Sequence, residues 1–286
     1  MAVIELTNRV RTDTRLLEKT LPAKTLGIPL GEERVIPPNS KGLLDLNQGN
    51  IFLADGVINN FAAAERYRIL RSEIERKNLG KKRYQILSVV SAIPQEGKSV
   101  TAVNLSRALS IDPNGRTLLI DCDLRKPSVH HYFEIAQENG LSDVLGDKIE
   151  LRKAIKPVSP GLDVLTAGTV VDDPARLIEG SEFPAYLEDL RNYYNYIIVD
   201  CPPALLCPEP ITISSITDGT IMVLRAWKTD KRLVSDAISV IGKERIFGAI
   251  MNGGFDSSKP YLSYDYYGYY QHPGKELAVV PKSAEK

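Results

Sequence analysis

The chain has 286 residues, with 36 Lys and Arg against 36 Asp and Glu, so its formal net charge is zero. That balance excludes a general nucleic-acid binder, whose hold on phosphate backbones comes from excess Lys and Arg. At 43% hydrophobic and 25% charged the composition is that of a globular protein, and no stretch approaches the ~18 uninterrupted apolar residues of a membrane span.

The N-terminal MAVIELTNRVRTDTRLLEK has no apolar signal-peptide core. Residues 9–19 read as one short helix. Beyond them, Pro22, Pro29, Pro37, Pro38, Gly27, Gly31 and Gly42 interrupt every apolar group. Residues 1–58 are therefore expected to form a flexible arm or linker. Three cysteines, Cys122, Cys201 and Cys207, supply neither a disulfide framework nor zinc-ligand spacing. A reducing, cytoplasmic setting is expected.

Order is predicted to begin near Asn60. In residues 61–77, Ala63, Tyr67, Leu70 and Ile74 recur at helical spacing on one stripe. Apolar β-rich runs follow at 84–91, 116–121, 162–166, 194–200, 219–224 and 246–251. Helical stretches at 98–110, 184–192 and 231–244 lie between several of them. Continuous apolar strands alternating with helices imply an α/β domain over residues 59–255, with a mostly parallel sheet covered on both faces. The segment 256–286 reads as a flexible tail. Six of the 13 tyrosines (Tyr261, Tyr264, Tyr266, Tyr267, Tyr269 and Tyr270) fall within YLSYDYYGYY.

The first strand of the domain runs into SAIPQEGKS and then a helix. A Gly-Lys-Ser at that junction is suited to phosphate. The backbone of Pro94, Gln95, Glu96, Gly97 and Val100 cradles oxygens, Lys98 neutralises them, and the Ser99 hydroxyl ligates Mg²⁺. Ala92 stands where the usual pattern has its first Gly, and an ordinary turn is the competing explanation. Two strand ends add weight: LLIDCDLRKP carries Asp121 and Asp123, and IIVDCPP carries Asp200. In a parallel sheet these ends share one edge, so the three carboxylates should gather at the loop mouth. There they can hold a metal or accept a proton. Capping of neighbouring turns is the simpler alternative for any single Asp.

Taken in order, SAIPQEGKS, LLIDCDLRKP and IIVDCPP resemble the bacterial tyrosine kinases of exopolysaccharide and capsule loci, which have a P-loop NTPase fold of deviant Walker type. The resemblance covers residues 60–270. It implies a protein-tyrosine autokinase using ATP and Mg²⁺, with Lys98, Asp121, Asp123 and Asp200 catalytic and with Ser99, Asp121 and Asp200 at the metal. The tail tyrosines would be phosphoacceptors. Glu65, Arg68 and Arg71 match an E-x-x-R-x-x-R helix that mediates ring assembly of a homo-oligomer. A membrane polysaccharide co-polymerase as activator and a protein-tyrosine phosphatase are the implied partners, with recruitment to the inner face of the membrane. The departures are Gln95 in the loop, Val100 after Ser99, Cys201 after Asp200, and Glu209 where Asp is usual. They leave open a nucleotide-binding scaffold without phosphotransfer. A switch ATPase is the weaker rival, because Ser91, Ala92 and Ile93 include no signature Lys.

Overall fold

A computed structural model describes residues 25–28, 50–53, 56–59, 61–112 and 115–253. The short helix expected at 9–19 and the tyrosine cluster at 261–270 lie outside the described residues.

The central sheet has eight strands: β1 (Thr25–Ile28), β4 (Ile86–Ser91), β5 (Thr117–Asp121), β6 (Lys156–Ser159), β7 (Leu162–Leu165), β8 (Tyr196–Asp200), β9 (Gly219–Arg225) and β10 (Ile246–Asn252). Their order across the sheet is β1-β10-β9-β4-β8-β5-β7-β6. All pairings are parallel except β6 with β7. A separate antiparallel pair joins β2 (Asn50–Leu53) and β3 (Gly56–Asn59). Three short strands thus fall within or across the boundary of the segment expected to be a flexible arm. Four-residue strands are too short to leave a period in the sequence, and β1 is held by pairing to β10 from far along the chain.

Helix α1 (Phe61–Asn78) is the predicted amphipathic helix, and Ala63, Tyr67, Leu70 and Ile74 are all buried. It packs on α2 (Lys98–Leu109), every residue of which is buried. These two helices cover one face of the sheet, where Leu87, Val89, Leu119, Ile198, Ile221 and Val223 point. The alternate residues Ile86, Val90, Leu118, Ile120, Ile197 and Met222 point to the other face. That face is covered by α6 (Pro174–Glu179), α7 (Glu182–Leu190), α8 (Glu209–Ile216) and α9 (Lys231–Ile241). Both faces are therefore dry, which is why the strands read as unbroken apolar runs. Short helices α3 (Val129–Phe133), α4 (Leu141–Leu145) and α5 (Leu151–Ala154) occupy the stretch between β5 and β6. They were not anticipated, since four or five residues cannot display a 3.6-residue period. No helix among the described residues is long and apolar enough to cross a membrane.

One carboxylate fixes where β4 starts. Asp218 accepts from the Gln85 and Ile86 N–H groups at 2.8 and 2.7 Å and takes a two-pronged ion pair from Arg191 at 2.8 and 2.9 Å. Burial pushes its pKa up, but the Arg191 bonds and the two backbone donors outweigh this and hold it below the ordinary carboxylate value. A depressed folded-state pKa contributes stability above the unfolded value and loses it as pH falls through the folded one. The urea-midpoint gap between the wild type and Asp218→Asn should therefore be full at neutral pH and narrow below about pH 4. On the helix side, Leu70→Ala should cost about 2–5 kcal/mol, read as a lower urea midpoint at unchanged slope.

Candidate active site

From Ser91 the chain turns through residues 92–97 into α2. The Ser91 hydroxyl donates to the Ile93 carbonyl at 2.8 Å, and Gln95 and Gly97 take positive φ angles of 64° and 92°. Pro94 and Gln95 are exposed, whereas Glu96, Lys98, Ser99 and Val100 are buried. Gly97 has no substitute here: a Cβ would lie 1.9 Å from the Asn252 amide nitrogen, besides the left-handed backbone. The helix begins at Lys98, so the unpaired N–H groups of its first turn face the loop.

Lys98 joins the strand ends. Its Nζ donates to Asp123 Oδ2 at 2.7 Å, lies 3.2 Å from Ser99 Oγ and stands 3.8 Å from Asp200 Oδ1. Burial pulls the ammonium's pKa down. The charges of Asp200, Asp123 and Asp121 more than reverse this, so Lys98 stays protonated.

The three predicted carboxylates do meet at one edge, but they are not equivalent. Asp121 and Asp200 sit side by side on paired strands. Asp121 gives its oxygens to backbone donors: Oδ1 to Asp123 N at 3.1 Å, and Oδ2 to Ser128 N at 3.1 Å and Val129 N at 3.0 Å. It shapes the loop that carries Asp123. Asp123 Oδ1 accepts from Lys126 N at 3.0 Å, leaving Oδ2 for Lys98. Both Asp200 oxygens are buried with no hydrogen-bond partner among the described residues. Burial, with the neighbouring Asp200 charge, pushes Asp121 up to about 7 against the pull of the Val129 N–H and Lys98. Burial likewise pushes Asp200 up to about 6 against the pull of Lys98 and Ser99. Cys122 and Cys201 flank this pair, fully buried, and burial pushes both thiols well up, so they serve as inert fillers.

An orphaned buried carboxylate beside a Ser hydroxyl fits a divalent cation that completes its shell with phosphate oxygens and water. Among the described residues no group of three or more His, Cys, Asp or Glu could hold a metal by itself.

The opposite flank of the loop went unread in the sequence. The buried Glu96 carboxylate accepts from Ile93 N at 2.9 Å, from the Thr229 hydroxyl and from Arg225 N at 3.4 Å. Asn252 donates its amide to the Glu96 carbonyl at 3.0 Å, and Arg225 Nη1 reaches the Gln95 carbonyl at 3.2 Å. The phosphate loop is thereby braced from the ends of β9 and β10. An acidic residue just before Gly-Lys was visible, but its partners lie about 130 to 160 residues away and depend on register. Glu209, noted as a departure, pairs with Arg125 at 2.8 Å at the start of α8. On α1, Glu65 pairs with Arg68 at 2.7 Å and Arg71 with Glu75 at 2.6 Å.

The electrostatics generate an expectation. Lys98→Met strips the counter-charge from buried carboxylates, a change that typically costs about 3–5 kcal/mol. Acids with raised folded-state pKa values bind more protons folded than unfolded, so their contribution falls as pH rises. The loss in Lys98→Met should therefore be larger at pH 8 than at pH 5.5, read from urea midpoints at the two values.

Comparison with known proteins agrees with this geometry. The family model described as "AAA domain" matches residues 85–225. Tyrosine-protein kinase YwqD of Bacillus subtilis is 33% identical over 210 residues, covering 72% of this chain and 86% of the relative. Tyrosine-protein kinase CpsD of Streptococcus pneumoniae is 30% identical over 217 residues, covering 75% and 93%. The solved kinase domain of Escherichia coli tyrosine kinase ETK superposes with a TM-score of 0.73 at 26% identity, covering 88% of this chain and 97% of that one. A P-loop kinase domain of this kind binds a nucleotide together with a divalent cation. With the buried Lys98 set between the strand-end carboxylates, these likenesses establish that the chain belongs to the bacterial tyrosine-protein kinase family.

Proposed function

We propose that this tyrosine kinase uses MgATP to phosphorylate its own C-terminal cluster, Tyr261, Tyr264, Tyr266, Tyr267, Tyr269 and Tyr270, and thereby regulates synthesis and export of a capsular or exopolysaccharide. The observation that carries the reading is the Lys98 ammonium at a helix N-terminus, bonded to Asp123 and facing Asp200, whose buried oxygens accept no hydrogen bond among the described residues.

The β- and γ-phosphate oxygens of ATP would compete with Asp123 for that ammonium. Once Lys98 turns to phosphate, Asp123 Oδ2 is free to take the proton of an incoming tyrosine hydroxyl. The phenolic oxygen then forms the new bond to the γ-phosphorus in line as the bond to the β-phosphate oxygen breaks, and ADP leaves. Ser99 and Asp200 would hold Mg²⁺, which supplies neutralisation of charge on the phosphate oxygens. Asp121 acts from behind, keeping the Asp123 loop in place through its backbone bonds. The protein's share is chiefly positioning and charge compensation.

Acceptors on a tail segment of one copy would enter the site of a neighbour within a homo-oligomeric ring, with Glu65, Arg68 and Arg71 at the contact. Each phosphate adds about −1.5 to −2 charge, so tails modified together repel one another and loosen the ring. A protein-tyrosine phosphatase resets the cycle. The cytoplasmic end of a membrane polysaccharide co-polymerase would act as activator, with residues 1–58 as the docking arm, keeping a cytoplasmic kinase at the inner face of the membrane.

Purified protein incubated with MgATP, with and without the activator's cytoplasmic segment, should acquire phosphotyrosine on residues 261–270 by mass spectrometry. The signal should vanish in Lys98→Met and in a variant with all six tail tyrosines changed to Phe. ATP binding by calorimetry without phosphotyrosine, activator present, would instead select a nucleotide-binding scaffold.

A further inference from the structure

The structure holds the chain's only tryptophan in an unusual position. Trp227 lies in the turn after β9, 66% exposed, with φ at +65°. Positive φ is uncommon for any residue with a Cβ and costly for a bulky one. Glycine would fit the same backbone without strain. The indole has no ring or cation partner among the described residues. A large apolar side chain kept exposed on a strained turn points to a ligand more readily than to packing.

The turn is also fastened to the phosphate loop. Lys228 and Thr229 N–H groups close it onto the Arg225 carbonyl at 3.2 and 3.0 Å, and Ala226 N ties it to the Asn252 carbonyl at 2.8 Å. The Thr229 hydroxyl to Glu96 and Arg225 to the Gln95 carbonyl bind it to the loop itself. Trp227 is thus presented at a fixed place beside the loop, on the β9 side of β4.

The two flanks of the loop differ in chemistry. Lys98, Asp123 and Asp200 lie toward β8 and β5, the side suited to the terminal phosphates and the cation. A nucleotide entering with those phosphates foremost leaves its nucleoside on the other flank, over the ends of β9 and β10. We infer that Trp227 is a nucleotide-binding residue whose indole stacks on the base. The inference rests on the nucleotide reading of the loop and adds to it a contact with the base.

A single tryptophan makes the test direct. Intrinsic fluorescence of the full chain is followed during titration with MgADP and, separately, with magnesium pyrophosphate, which lacks a base. Calorimetry gives both affinities independently. MgADP should shift or quench the emission, and pyrophosphate should leave it unchanged. Trp227→Gly relieves the backbone strain, so its thermal midpoint should hold or rise. Its Kd for MgADP should nevertheless weaken by about tenfold, as loss of one base–aromatic stack implies, with pyrophosphate affinity retained. Trp227→Phe should stay close to wild type. Emission that ignores saturating MgADP, or a Trp227→Gly protein that binds MgADP as tightly as wild type, overturns the stacking while leaving the phosphate site standing. Calorimetry showing no binding of either ligand would overturn the nucleotide site and this inference with it.

Discussion

One ammonium among three buried carboxylates sets the terms for the rest of this site. Lys98 reaches the loop mouth because α2 starts just after the turn that follows β4, and the acids arrive there because β5 and β8 run parallel to β4 and end level with each other at Asp121 and Asp200. The ammonium keeps its charge at that depth because the carboxylates of Asp200, Asp123 and Asp121 surround it. The ammonium is held by a carboxylate, and phosphate oxygens offer it charge-assisted hydrogen bonds of the same kind.

The acids divide the labour. Asp121 spends its oxygens on backbone donors and fixes a loop, Asp123 holds the ammonium, and Asp200 keeps two buried oxygens unbonded. Burial pushes both Asp121 and Asp200 up; backbone N–H groups offset part of it at Asp121, and Lys98 and Ser99 part of it at Asp200. The bracing flank answers a different demand. A loop with two residues at positive φ needs external support to hold its shape, and Arg225, Thr229 and Asn252 provide it from the neighbouring strand ends.

Much of this was legible in the residues. Two dry faces produce unbroken apolar strands, so the core strands and the stripe on α1 stood out, and strand-end Asp residues behind a Gly-Lys-Ser announced a shared edge. What escaped falls into two kinds. Elements of four or five residues, such as β6 with its Pro157 and helices α3 to α5, are shorter than the period that would reveal them. Contacts fixed by register, such as Glu96 with Thr229 or Asn252 with the loop carbonyl, join residues whose separation carries no local signal. The unlike roles of Asp121 and Asp200 were hidden for the same reason, since only the folded path of residues 122–129 shows which acid is consumed.

The bracing of the phosphate loop by β9 and β10 has a consequence for how the protein comes into being. The loop is synthesised about a third of the way along the chain, yet the groups that hold it are added near residues 225, 229 and 252. β4 must also wait for β8 and β9 before it has either neighbour. Such long-range pairing slows folding and leaves early intermediates with apolar strands uncovered. A growing chain therefore carries the Gly-Lys-Ser sequence long before it has a competent phosphate site. The bracing that shapes the loop is thus completed last, when β10 pairs with β9 and Asn252 reaches the loop carbonyl, so stabilisation by a bound ligand comes late in folding.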